Sequence, residues 1–312
     1  MAGKDVLVCG TLNLETTLPI DSFPLNYEPV CYRHFELVSN PSGVGFNVAR
    51  ALSVLGNRVR FVSMIASDFL GTSLRNALTT FNISDQFVLA TLKETAQSVV
   101  IFDDIGRRMV HTDLKDIGEK HFPPDRFDQA LNRCGFAVMT NAAFSRPLLP
   151  RAKAAGASIA TDLQTASESS RSYDADFVEA GDILFLSHEK LQVEPEKFVS
   201  NLWERSKASV IVVGMGASGS LLCMRDRGSR HVSAVQVRPV VNTAGAGDAL
   251  FSCFLHFYWD GQDPLLALEK AAVFAGYKVG ENGASRGFLS EKQLLSMITS
   301  FKTEKLAGSS NP

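Results

Sequence analysis

Short runs of apolar and β-branched residues recur along this chain, with stretches of helical periodicity between them. The runs that indicate strands cover residues 6–9, 59–65, 159–163, 183–186 and 210–213. Because these runs are apolar throughout, they are typical of strands buried on both faces of a largely parallel sheet. Helical spacing between the first two runs is marked by Val48, Ala51, Leu52 and Leu55. The succession of strand, helix and strand predicts an α/β sandwich.

Two stretches interrupt this alternation. Residues 18–38 are rich in proline and aromatic side chains, and residues 98–111 resemble a hairpin. Neither has helical periodicity, so we assign both to a small β lid beside the main sheet. We predict a single domain over residues 1–312, with a polar tail at 302–312 that is expected to fray.

Composition narrows the range of partners. The net charge is −2 and the basic residues are scattered, so the chain lacks the basic stripe that binds a nucleic-acid backbone. The most apolar segment, residues 249–259, is far shorter than the ~20 residues that span a membrane. We expect a cytoplasmic protein with no nucleic-acid or membrane partner. Its cysteines are expected to be buried, reduced thiols: Cys9, Cys31, Cys134, Cys223 and Cys253.

The sharpest motif is a run of small residues that ends in an acid, Asn242-Thr243-Ala244-Gly245-Ala246-Gly247-Asp248. It follows strand-like residues 237–241 and precedes an apolar helix at 249–258. Free N–H groups at a helix start favour phosphate, and small residues let it approach the backbone. A carboxylate there is useful as a base that accepts a proton from an attacking hydroxyl. A turn in which Asp248 only caps the helix explains the same residues, so local chemistry leaves both interpretations open.

This segment resembles the C-terminal signature of the ribokinase or PfkB carbohydrate kinase family, Asp-Thr-x-Gly-Ala-Gly-Asp. Six of the seven positions match, and the departure is Asn242 in place of the first Asp. The resemblance implies that Gly245, Ala246 and Gly247 form an anion hole for the transferred phosphoryl group. It also implies that Asp248 is the catalytic base.

A second segment resembles the N-terminal signature of the same family, Gly-Gly-x-Gly-x-Asn followed by a helix. Here it runs from Ser42, which replaces the first glycine, through Gly43 to Asn47. The resemblance implies that this turn approaches the substrate and that the Asn47 side chain binds its hydroxyls. Val44 and Phe46 make the turn more apolar, which slightly favours a substrate with a flat apolar part such as a nucleoside.

Two further candidates for substrate binding lie at the end of the first strand. Asn13 and Glu15 belong to Gly10-Thr11-Leu12-Asn13-Leu14-Glu15, which is similar to the family's Gly-x-x-x-x-Asp. Glu15 stands where the family has Asp, so its carboxylate is displaced by one methylene. Either the substrate differs or Asn13 carries more of the contact.

A competing motif lies at Gly214-Met215-Gly216-Ala217-Ser218-Gly219, which satisfies the dinucleotide fingerprint of an NAD-dependent dehydrogenase. That fingerprint requires a helix next and an acid ~20 residues later. A strand-like run follows at 220–224 instead, and residues 235–237 contain no acid. In the kinase family the same place resembles a Thr-x-Gly-x-x-Gly loop that lines the nucleotide, with Gly214 in place of Thr.

The resemblance implies a ribokinase-like three-layer α/β/α sandwich with a mostly parallel central sheet and a β lid. It implies ATP and Mg²⁺, with Glu189 contacting metal-bound water, and K⁺ on the main-chain carbonyls of Asn242 and Ala244. The expected nucleotide contacts are Ser187, Gly214, Gly216, Gly219, Gly247 and Asn282.

We therefore predict transfer of the γ-phosphoryl group of ATP to a sugar hydroxyl, most simply a primary CH₂OH. A nucleoside kinase of the same family and a non-catalytic sugar-binding homologue remain alternatives. The exposed aromatic residues expected in the lid predict a homodimer formed through it.

Overall fold

The computed structural model describes residues 5–167 and 171–308, with side chains described as far as Phe301 in the last helix. Its strands are β1 Asp5–Cys9, β2 Asn13–Pro19, β3 Val38–Ser42, β4 Arg58–Ala66, β5 Ser84–Leu92, β6 Gln97–Phe102, β7 Arg108–Asp113, β8 Phe136–Met139, β9 Ser158–Asp162, β10 Ile183–Ser187, β11 Val210–Gly214, β12 Ser220–Met224 and β13 Gly228–Val232. Its helices are α1 Val44–Val54, α2 Phe69–Thr80, α3 Pro124–Leu131, α4 Leu149–Ala154, α5 Arg171–Ala180, α6 Pro195–Trp203, α7 Ala246–Trp259, α8 Pro264–Lys278 and α9 Glu291–Gly308.

The main sheet has the strand order β13-β12-β11-β10-β9-β8-β1-β4-β5. Every pair from β11 to β5 is parallel, whereas β12 and β13 add an antiparallel edge. The five apolar runs of the sequence are all strands of this sheet, as predicted. A parallel sheet collects the carboxyl ends of its strands at one edge, which is where ligands bind in such folds.

Helices cover both faces of this sheet because successive side chains of a strand point to opposite sides. Val6 and Val8 of β1 join one buried cluster with α1, α7 and α8. Leu7 and Cys9 join a second cluster with α3 to α6. The chain therefore forms the expected three-layer sandwich.

A smaller sheet, the lid, has the order β3-β2-β6-β7. The hairpin predicted at 98–111 is present as antiparallel β6 and β7. The lid boundary predicted at 18–38 is wrong in part, because residues 20–37 are irregular and the strands lie at their two ends. Pro24 and Pro29 lack the N–H donor that a strand ladder needs, which accounts for the irregular path.

Residues 237–241, which we expected to be a strand, are irregular. The amides of Val241 and Asn242 both donate to the carbonyl oxygen of Val279, at 2.8 and 3.0 Å. The end of this segment is thus anchored to the C-terminus of α8 instead of to a neighbouring strand.

The cysteines follow the prediction with one exception. Cys31 is exposed, because it lies in the irregular lid segment, whereas the other cysteines are buried. Of the tail predicted to fray, the backbone of residues 302–308 continues α9, and residues 309–312 lie outside the described residues. Within the described ranges, no helix is long and apolar enough to cross a bilayer.

Candidate active site

The small-residue loop ends at the N-terminus of α7, with Gly245 as its N-cap in the left-handed region at φ 77°. A Cβ at Gly245 would lie 2.3 Å from the carbonyl oxygen of Ala284, so this position requires glycine. A Cβ at Gly247 would meet nothing within 4 Å. The first turn of the helix therefore lies beside open space at Gly247, which suits an anion such as phosphate.

Asp248 lies in the first turn of α7 and is only 9% exposed. Its Oδ2 accepts a 2.7 Å hydrogen bond from Asn47 Nδ2. Burial raises the pKa of Asp248 to about 7; the hydrogen bond from Asn47 opposes this rise, as does Lys278, whereas the carboxylates of Asp162 and Glu15 add to it. A carboxyl group with a pKa near neutrality is well suited to accept a proton under physiological conditions.

The two signatures are thus in direct contact, although they are 201 positions apart in the sequence. Asn47 was predicted to bind substrate hydroxyls, and the structure brings its amide onto the predicted base. Gly43 precedes α1 at the same turn, with a positive φ of 100°. The Asn47 side chain therefore orients the Asp248 carboxylate.

The two departures from the family pattern on the substrate side are partners of each other. Ser42 Oγ lies 3.0 Å from Glu15 Oε2 and 3.3 Å from Asn47 Oδ1. The other oxygen of Glu15 accepts from the amide of Ala284 at 3.0 Å. A glycine at position 42 could not make these contacts, so the serine fixes the longer acid.

Asn13 is 4% exposed and is held by one hydrogen bond, from its Nδ2 to Ser98 Oγ at 3.0 Å. Its Oδ1 is buried and has no hydrogen-bond partner among the residues that the structure describes. An unpaired buried acceptor is costly, and such atoms at a site commonly await a ligand donor. Asn13 and Glu15 lie on the same buried face of β2, because they are two residues apart on a strand.

Phe46, expected to lie beside the substrate, is fully buried in the core. Its ring centroid lies 6.3 Å from that of Phe61 and 6.0 Å from that of Phe81. Because side chains turn by about 100° per residue in a helix, Phe46 and its neighbour Asn47 point in different directions. The prediction that Phe46 makes the substrate turn apolar is wrong.

The lid reaches the small-residue loop through Arg108 of β7. Its Nη1 donates to Thr243 Oγ1 at 3.0 Å, and its Nη2 lies 3.7 Å from Glu189 Oε1. Thr243 Oγ1 also donates to the Gly106 carbonyl at 3.3 Å. The lid hairpin therefore contacts the loop and places a guanidinium beside it.

The expected nucleotide residues are spread along the edge where β10 and β11 end. Ser187 and Gly214 are paired across these strands, and Gly216 begins a 3₁₀ turn between β11 and β12. The Ser187 hydroxyl accepts from the Glu189 amide at 3.3 Å. A Cβ at Gly219 would lie 2.1 Å from the Val232 carbonyl oxygen, so this glycine serves the packing of β13. A strand follows the turn in place of the helix that a dinucleotide fingerprint requires.

The remaining candidates lie behind the loop. Asn242 Oδ1 accepts from the Ala244 amide at 2.8 Å, and Asn242 Nδ2 donates to Asn282 Oδ1 at 3.1 Å. The carbonyl of Ala244 accepts a hydrogen bond from the Lys278 ammonium. These residues hold the loop in place from the protein side.

Three functional candidates were missed by sequence reasoning: Arg108, Asp162 and Lys278. Asp162 is buried at the carboxyl end of β9, and burial raises its pKa to about 6. An acid at the end of a buried parallel strand is a signal that could have identified it. Arg108 and Lys278 have no comparable local signal, because one lies on an exposed hairpin and the other ends a mainly apolar helix.

Comparisons with known proteins agree with this geometry. A family model described as pfkB family carbohydrate kinase matches residues 4–291. Deoxyribokinase from Salmonella typhi is 40% identical over 83 residues, 27% of this chain, so the match spans about a quarter (26%) of the relative's length. Acarbose 7(IV)-phosphotransferase from Actinoplanes sp. is 24% identical over 280 residues, 88% of this chain and 91% of the relative.

Among solved structures, the microbiome-derived acarbose kinase Mak1 has the same fold. Its TM-score is 0.84 at 23% identity, with 96% of this chain and 100% of the other covered. The family match over residues 4–291 includes both signatures and the contact between them. The chain therefore belongs to the pfkB family of carbohydrate kinases.

Proposed function

We propose that this protein transfers the γ-phosphoryl group of ATP to a hydroxyl of a sugar, with Asp248 as general base. The observation that carries the proposal is a buried carboxyl group with a raised pKa beside the open N-terminus of α7. Such a pairing of a base with an anion site is what phosphoryl transfer to an alcohol requires.

The reaction needs little covalent help from the protein. Asp248 accepts the proton of the acceptor hydroxyl as the hydroxyl oxygen bonds to the γ-phosphorus and the bond to the ADP leaving group breaks. The amides of Gly247 and Asp248, at the positive end of α7, meet the charge on the transferred group, whereas the Ala246 amide donates to the Thr243 carbonyl at 3.2 Å. Arg108 adds positive charge from the lid side, and the lid excludes water.

The residues present fit a nucleotide phosphate, since open space lies beside Gly247 at the helix start. Mg²⁺ supplies charge neutralisation on the nucleotide phosphates. In the part of the chain that the structure describes, no group of three or more His, Cys, Asp or Glu residues is placed to hold a metal. Mg²⁺ usually keeps several waters beside substrate phosphates, and we assign Glu189 to contact with such a water.

Sugar recognition is assigned to the buried polar face of the lid and to the α1 turn. Asn13 offers a free buried acceptor, and Glu15 retains lone pairs beyond its two hydrogen bonds. The nucleoside alternative loses its main support, because Phe46 is in the core. The names of the curated relatives, deoxyribokinase and acarbose 7(IV)-phosphotransferase, also support a carbohydrate acceptor.

An ATP turnover assay with a panel of sugars, aminosugar oligosaccharides and nucleosides tests this proposal. We expect sugars to be phosphorylated and nucleosides to be ignored. Turnover of nucleosides alone would establish the nucleoside kinase instead. Tight sugar binding without turnover would establish the non-catalytic homologue.

The pH dependence of kcat/KM is the second expectation. Since Asp248 must be ionised to accept a proton and its pKa is raised to about 7, the rate should rise about tenfold per pH unit below that value and then level off. Rates from about pH 5 to about pH 8 measure this limb. A flat profile over that range would show that a group with a lower pKa is the base.

The lid also supports the proposed homodimer. Its irregular segment exposes large apolar side chains, and β7 is exposed along its whole length. The most exposed are Tyr27 at 88%, Tyr32 at 83% and Phe35 at 104%. A second copy of the chain, whose lid carries the same apolar residues, is the occupant we propose. We expect light scattering at micromolar concentration to give twice the chain mass for the wild type. The double variant Tyr32→Asp with Phe35→Asp should give the mass of the monomer. A monomeric wild type would contradict the proposed dimer.

A further inference from the structure

Lys278, the last residue of α8, is fully buried under the small-residue loop. Its ammonium donates to the main-chain carbonyl of Ala244, the residue just before the left-handed Gly245. The next residue, Val279, accepts from the amides of Val241 and Asn242 with its carbonyl. Two adjacent residues at the end of α8 thus hold the loop from behind.

A buried ammonium is costly unless charges or hydrogen bonds compensate for the lost hydration. Burial lowers the pKa of Lys278 to about 8, while the carboxylates of Glu15, Asp248 and Glu281 oppose this fall and Arg108 adds to it. The lysine is therefore mainly charged at neutral pH. Its charge interacts with the carboxylates of Asp248, the proposed general base, and of Glu15.

The potassium site implied by the family resemblance would use the main-chain carbonyls of Asn242 and Ala244. The residues present do not fit such an ion. The Ala244 carbonyl already accepts from the Lys278 ammonium. In addition, Asn at position 242 provides no negative charge, and both ends of its side chain amide are engaged within the protein.

We propose that the Lys278 ammonium is a fixed internal cation for the small-residue loop, so that turnover needs no monovalent metal ion. It is a positioning residue: it orients the Ala244 carbonyl, and through it the amides of Gly247 and Asp248. It also adds positive charge behind the site where the phosphoryl group is transferred. The inference rests on the proposed kinase function.

The first arm of the test compares the wild-type enzyme in potassium chloride and in tetramethylammonium chloride at equal ionic strength. We expect the two rates to agree within about twofold, because the cation site is already filled by the protein. A wild-type rate at least about tenfold higher in potassium would overturn the proposal. Absence of turnover in both salts would instead contradict the proposed kinase function.

The second arm uses Lys278→Met, which keeps an unbranched side chain, one atom shorter, and removes the ammonium charge. We expect kcat in tetramethylammonium to fall by ~10-fold or more, and potassium to restore part of it by occupying the vacated place. Lys270→Met, in the same helix but hydrogen-bonded to Gln262 and stacked on Phe257, is the matched control and should show no new potassium response.

A third measurement does not depend on activity. The thermal unfolding midpoint of the wild type should be the same in the two salts, whereas Lys278→Met should gain a stabilisation specific to potassium. If Lys278→Met turns over at the wild-type rate without potassium, Lys278 has only a structural role. The same conclusion follows if potassium changes neither the rate nor the unfolding midpoint of this variant. If this variant does not fold, the wild-type comparison still decides the question.

Discussion

Asp248→Asn is expected to lower kcat by about 10² to 10⁴, the contribution typical of a general base. The amide has nearly the same shape as the carboxylate but cannot take up the hydroxyl proton. The main-chain amides of residues 247 and 248 are unaffected, so nucleotide affinity should be almost unchanged. Single-turnover rates together with nucleotide titration measure the two effects separately.

The same substitution should not weaken the fold. Because the pKa of Asp248 is raised to about 7 in the folded chain from its ordinary value of 3.8, the native state holds its proton more tightly than the unfolded chain does. The stability this provides is present below about pH 4 and is lost as pH rises through about 7. In Asp248→Asn this loss with rising pH should be absent.

Asp260→Asn, at the exposed C-terminal end of the same helix, is the matched control for removing one acid from α7. Its kcat should remain at the wild-type value. Near wild-type turnover in Asp248→Asn, with an intact fold by circular dichroism, would exclude Asp248 as the base.

Removal of the substrate hydroxyl that donates to Asn13 is expected to lower kcat/KM as strongly as Asp248→Asn lowers kcat. A site built to pair with a hydroxyl can reject the analogue that lacks it by ~10⁴ in kcat/KM, because a buried polar group is then left unsatisfied. Asn13 Oδ1 is such a group, since it is buried and has no partner within the described protein. Monodeoxy analogues of the best acceptor from the panel identify which hydroxyl it binds.

A double-mutant cycle, in which the substrate hydroxyl and the Asn13 side chain are removed separately and together, isolates this contact. In Asn13→Ala, kcat/KM for the sugar with all its hydroxyls should fall most of the way to the value for the deoxy analogue that lacks the bound hydroxyl. For this deoxy analogue, kcat/KM should change little. Ser39→Ala alters a hydroxyl that pairs with Thr16 on the solvent side of the lid and serves as the control. If every deoxy analogue is accepted equally by the wild type and by Asn13→Ala, Asn13 is not a substrate ligand.

The α/β fold and the main elements of the site could be predicted from the sequence. Each of the five apolar runs is a strand, because a strand buried on both faces must be apolar at every position. The small-residue loop does precede a helix whose first turn contains Asp248. Both features are encoded by residues that are neighbours in the chain, so local patterns are sufficient to find them.

Local sequence patterns were insufficient to predict the direction of a side chain or a contact between residues that are distant in the sequence. Phe46 and Asn47 are adjacent, yet one packs into the core and the other bonds to Asp248. The compensating pair of Ser42 and Glu15 appeared in the sequence as two separate departures from the family pattern. Which side chain faces the site depends on how α1 is rotated against the sheet, and this is set by packing.

The sequence by itself determined the layers of the fold, the position of the proposed base and the turn that begins α1. Only the tertiary structure decided that Lys278 lies under the loop, that Arg108 reaches it from the lid and that Asp162 lies near the base. The physical reason is that a buried charge is stable only through partners that compensate its desolvation. Those partners come from elements far apart in the chain, so no local sequence pattern records them.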